Sequence, residues 1–119
     1  MTREELENRC EDFTVRVGIM VLALPRNRTA DAYASQVLRA AGSVGANYAE
    51  SAHGSSRRHF VSILEVSRRE ARESRYWLRV IAKSGLIKPH RLKNLIQEAE
   101  ELLSIITKSI VTTKRQAKS

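Results

Sequence analysis

A chain of 119 residues carrying 21 Lys and Arg against 13 Asp and Glu, a net charge of +8, has room for one core and not two, and can bury it without disulfide or metal staples. Its one cysteine, Cys10, excludes an intrachain disulfide and fits a reducing, cytoplasmic setting. No charged-then-apolar leader pattern is present, and Val15–Leu24, interrupted by Arg16, falls short of the roughly 20 apolar residues of a membrane span, so no membrane partner is expected.

Gly and Pro are scarce, and apolar residues recur at three- and four-residue steps with no sustained alternation, an all-helical pattern. The first helix is predicted from about Arg3 to Leu24. Thr2 and Glu5 have capping-box spacing, Leu6, Phe13, Val17, Met20, Val21 and Leu24 face inward, and Pro25 ends it. The second runs from about Ala30 to Ala52, capped by Thr29 or Asp31. It is rich in small residues, Ala40, Ala41, Gly42, Ser43, Gly45, Ala46 and Ala49. Two interior glycines cost roughly 1 kcal/mol each against alanine, which points to close approach by another helix. The third runs from about Ser56 to Ser84, stopped by Gly85. The fourth starts near Pro89, a favoured first position, and runs to about Thr113 along Leu92, Leu95, Ile96, Ala99, Leu102, Leu103, Ile106 and Ile110. Residues 114–119 form a short basic tail expected to fray. Residues 1–113 thus read as one unit, an antiparallel up-down-up-down four-helix bundle with short links.

Charge is unevenly placed. Residues 1–24 carry −2 and residues 25–53 carry +1, whereas residues 54–83 carry +5 and residues 84–119 carry +4. At about 100° per residue, Arg57, Arg68, Arg72, Arg75 and Arg79 fall in one stripe of the third helix. Phe60, Ile63, Leu64, Ser67, Ala71, Ser74, Leu78 and Ile81 fall on a neighbouring face. The stripe spans about 33 Å at roughly 1.5 Å per residue. Glu65 with Arg68 or Arg69, and Glu73 with Arg69, are spaced for intrahelical pairs, but three acids cannot neutralise eight bases in this segment. The surplus suits a polyanion, with arginine offering bidentate phosphate contacts. Solvated surface and a subunit contact with acids of the first helix are the competing readings.

Enzyme signatures are sparse. Glu50 and His53 have the Glu-x-x-His spacing of di-iron bundles, but such a site needs a second copy and two further glutamates. Cys10, His53, His59 and His90 are scattered, and no Gly-rich phosphate loop or nucleophile elbow occurs. No metal or cofactor is expected, and Cys10 reads as a small buried hydrophobe. Asn47, Glu50 and Glu70 fit either a surface contact or an interhelical network with Arg39, the network being favoured. Trp77 fits a helix–helix or subunit contact better than a base-stacking role.

The runs "QVLRAAGSVGANYAESAHG" (36–54) and "FVSILEVSRREARESRYWLRVIAKSGLI" (60–87) resemble the four-helix-bundle family of 23S rRNA intervening-sequence proteins. The matching positions are Gln36, Arg39, Ala40, Ala41, Ser43, Asn47, Ala49 and Glu50, then Phe60, Ser67, Glu70 and Gly85-Leu86-Ile87. Leu24-Pro25 and Tyr33 also sit as in the family. Ser51, Gly45 and Val66 depart from its pattern where Gly, Pro and Gly are usual. The resemblance implies a homopentameric barrel and no established enzymatic activity. It also extends to the accessory protein of diversity-generating retroelements, which binds nucleic acid and a reverse transcriptase.

These observations predict a non-enzymatic, self-assembling bundle that binds RNA or DNA through phosphates. The expected contacts are Arg57, Arg58, Arg68, Arg72, Arg75, Arg79, Lys114, Arg115 and Lys118. The alternative is an interaction scaffold whose arginines meet an acidic partner protein, such as a reverse transcriptase.

Overall fold

The computed structural model describes the backbone of residues 1–118 and the side chains of residues 1–116. These residues form four α-helices, α1 (Arg3–Leu22), α2 (Arg28–Ser51), α3 (Arg57–Ser84) and α4 (Lys93–Lys118), with a 3-10 turn at Pro89–Arg91. Among the described residues there is no strand. The fold is the four-helix bundle that the apolar spacing predicts, drawn out to 51 × 22 × 21 Å.

The helix ends follow local chemistry. Thr2 and Glu5 close a reciprocal capping box at the start of α1, satisfying amides that a first turn leaves free. α1 stops at Leu22 rather than Leu24, because Pro25 disfavours helical backbone in the residue before it. Its last amides fold onto Met20 and Val21. The cap of α2 is Asn27, not Thr29 or Asp31: its side-chain oxygen accepts from the Ala30 amide at 2.8 Å. Asn outranks Thr at this position, and the earlier start adds Arg28 and Thr29 to the helix. Ser56 caps α3, accepting from the His59 amide at 3.0 Å. Gly85, at φ +76°, closes it in the left-handed conformation that glycine adopts without strain. Pro89 opens the 3-10 turn rather than α4 itself. α4 then continues to Lys118, so the basic segment expected to fray is helical through that residue. Cations in a last turn are favoured by the helix dipole, and Lys114 gains an ion pair with Glu65 on α3 at 3.0 Å.

α3 lies between α2 and α4, while α1 packs mainly on α2, more loosely on α4 and hardly on α3. α1 and α3 are therefore diagonal, and their outer faces point away from each other. Phe13, Val17, Val37, Val44, Leu64, Leu78, Ile81, Leu92, Leu102, Ile106 and Ile110 form the centre of the core. Burying side chains of this size stabilises by roughly 1.5–3 kcal/mol each. Gly45 of α2 serves its contact with α1: a methyl built on it would stand 2.8 Å from Cys10 Cβ. Across the looser α1–α4 side, Arg9 donates from Nε to Glu98 at 3.0 Å and reaches Glu101 at 3.3 Å.

Candidate nucleic-acid interface

Winding at 3.6 residues per turn puts Arg57, Arg68, Arg72, Arg75 and Arg79 on one side of α3, outside the buried row Leu64, Ser67, Ala71, Ser74, Leu78 and Ile81. The structure divides the expected contact residues into two groups. At one end, Arg57, Arg58 and Val61 of α3 converge with Thr113 and Lys114 of α4 around a shallow pocket. At the other, Arg72, Arg75 and Arg79 line a groove with Tyr76, Val80 and Lys83. Arg68 lies along α3 between them and is half-buried. Lys114 of the first group pairs with Glu65, which places one carboxylate beside an otherwise cationic row. Arg115 is exposed on α4, in neither group. The Lys118 side chain lies outside the described residues.

The acids of α3 do not pair as their spacing suggests. Glu65 binds Lys114 rather than Arg68 or Arg69. Glu73 binds Arg39 of α2 rather than Arg69. Glu70, 5% exposed, accepts from Arg39 at 3.0 Å and has Arg69 at 3.7 Å. Hydrogen bonds donated to Glu73 and Glu70 hold the Arg39 pKa above its ordinary value. Tertiary pairing thus directs all three carboxylates to cations off the stripe. Among the described residues, Arg57, Arg58, Arg68, Arg72, Arg75, Arg79 and Lys83 have no ion-pair partner. This row of uncompensated charge gives α3 a strongly positive outer edge.

Several of the other polar groups have structural roles. The Arg39–Glu70–Glu73 cluster ties α2 to α3, the network expected for Glu70. The Ser67 hydroxyl donates to the Val44 carbonyl of α2 at 2.7 Å. Asn47 donates back to the Ser43 carbonyl within α2 at 2.8 Å, and Glu50 is exposed. Trp77 packs between α2 and α3, its ring 5.8 Å from that of Tyr33, a helix–helix contact. Burial pushes the Cys10 thiol up to about 11, so it stays protonated and unreactive at neutral pH. Among the described residues no cluster of three His, Cys, Asp or Glu side chains is arranged to hold a metal, and no helix is long and apolar enough to cross a membrane.

Two groove residues escaped the expected contacts, Lys83 and Tyr76. Lys83 continues the stripe one turn beyond Arg79, a position that spacing alone reveals. Tyr76 lies one turn after Arg72 and one before Arg79 and Val80, and its place in the groove depends on the neighbouring Trp77 facing inward.

The fold and its charged edge define a class: an all-α four-helix bundle with a cationic outer face. Residues 5–108 match the family described as "23S rRNA-intervening sequence protein", and the chain belongs to that family. It is also similar to a solved protein of unknown function from the S23 ribosomal protein family of Bacteroides thetaiotaomicron VPI-5482. The two share 24% identity with a TM-score of 0.82, over 88% of this chain and 97% of that one. At that identity the likeness concerns the fold. No curated protein matches the chain.

Proposed function

We propose that this protein is a non-enzymatic, self-associating nucleic-acid-binding protein that holds RNA or DNA phosphates along α3. The observation that carries this reading is the set of seven α3 cations without an acidic partner among the described residues. Arginines at intervals of one turn present guanidinium groups about 5 Å apart, each able to take a phosphate through two parallel hydrogen bonds. Contacts of this kind fix position on a strand and carry little sequence discrimination. The family's description, which refers to 23S rRNA, makes RNA the first target to try.

Self-association is supported by α1. Val15, Ile19 and Leu22 form an apolar row on its outer face, with Leu22 86% exposed. The face belongs to the helix diagonal to α3, so copies joined through it leave the arginine edge open. Several copies would then engage one polyanion together and gain by avidity.

Binding to a structured RNA and to duplex DNA of equal length, measured across a salt series, tests the reading. Each phosphate contact on duplex DNA contributes about −0.9 to the slope of log affinity against log salt. Four groove cations alone therefore predict a slope of about −3.6 or steeper on duplex DNA. A flat salt response, or no binding at low salt, would contradict phosphate recognition and favour a scaffold whose arginines meet an acidic protein such as a reverse transcriptase.

A further inference from the structure

The six aromatic residues are not equally placed. Phe13 and Tyr48 are buried, and Tyr33, Phe60 and Trp77 are partly buried against the core. Tyr76 is 59% exposed and lies within the groove of Arg72, Arg75, Arg79, Val80 and Lys83. Its ring stands nearly perpendicular to that of Trp77, at 83° with centroids 5.1 Å apart. Trp77 is itself packed on Tyr33 of α2. The exposed ring is thus braced by an indole anchored across two helices, which lowers the ordering cost of stacking a ligand on it.

We propose that Tyr76, with the cations around it, forms a stacking site for an unpaired nucleobase, so that the protein prefers single-stranded or looped nucleic acid to duplex. This rests on the nucleic-acid reading above and specifies its substrate class. An aromatic face beside backbone-tracking cations is the combination that holds single strands irrespective of sequence. In a duplex the base faces are already stacked on one another, and only phosphates reach the groove. Tyr76 therefore contributes to one class of ligand, whereas Arg72, Arg75, Arg79 and Lys83 contribute to both.

Fluorescence anisotropy at matched salt, with a labelled single-stranded oligonucleotide and a duplex of the same length, separates these roles. Tyr76→Leu keeps apolar bulk and removes the π face; Tyr76→Trp restores one. Tyr76→Leu is expected to weaken single-strand binding about 5- to 140-fold, the measure of one lost base stack. Duplex affinity should stay within about twofold, since the phosphate contacts are unchanged. Tyr76→Trp should retain single-strand affinity. Circular dichroism should show full helicity in both variants. Unchanged single-strand affinity in Tyr76→Leu, or equal loss on both ligands, would overturn the stacking site while leaving phosphate binding standing. A wild-type protein that binds neither ligand would overturn both.

Discussion

Where α1 crosses α2, one absent methyl sets the distance between helices. Gly45 faces Cys10 so closely that an added Cβ would lie 2.8 Å from the cysteine's own, whereas at Gly42, one turn earlier, the nearest neighbour is the Thr14 methyl at 4.0 Å. The two glycines should therefore respond oppositely to alanine. Gly42→Ala gains helix propensity, up to about 1 kcal/mol, and should raise the melting temperature. Gly45→Ala gains the same propensity but forces a rigid contact, and overpacking costs about 1–3 kcal/mol, so its melting temperature should fall. Thermal unfolding of both variants beside the wild type checks this, and a stabilised Gly45→Ala would mean that α1 can move away at little cost. The small-residue run made close approach legible in the sequence. That the partner is α1, and that Gly45 is the tight point, follows from helix placement, which residue spacing does not encode.

Each helix was readable as an element because burial imposes its period on the chain. The helical stretches, the Thr2 and Ser56 starts and the Gly85 stop all follow from local chemistry. The cap at Asn27 was less legible because Asn27, Thr29 and Asp31 are all capping residues within five positions, and only the backbone decides among them. On α1 the same period exposes a second face. Val15, Ile19 and Leu22 are respectively 62, 61 and 86% exposed, while Leu6, Cys10, Phe13, Val17 and Met20 fill the buried side. If copies meet through this outer row, Ile19→Glu combined with Leu22→Glu should weaken association at least tenfold, since burying either residue is worth about 1.5–3 kcal/mol. Helicity should be kept, because neither side chain supports the core. Sedimentation velocity of wild type and variant reads the outcome, and an unchanged assembly would place the subunit contact elsewhere.

Across the whole molecule, the diagonal placement of α1 and α3 separates an apolar outer face from a cationic one. The stripe could be drawn from α3 alone, as an angle on a helical wheel. Its electrostatic isolation could not, because that depends on pairs between helices: Glu65 with Lys114 of α4, and Glu70 and Glu73 with Arg39 of α2. Spacing within α3 suggests that Glu65 and Glu73 pair with neighbouring arginines, and tertiary packing directs both elsewhere. The cost of holding like charges in a row is limited by solvent and salt, and a polyanion would remove it.

On the proposed function, these unpaired arginines face a polyanion rather than another subunit. Its most direct test replaces Arg68, Arg72, Arg75 and Arg79 together by glutamine and measures two quantities on one sample: affinity for a structured RNA at low salt, and mass in solution by light scattering. Wild-type helicity and mass are expected, with a drop in affinity of at least a hundredfold and a salt slope shallower by about one per phosphate contact removed. A variant that binds RNA as the wild type does, or that falls to monomers, would contradict this reading.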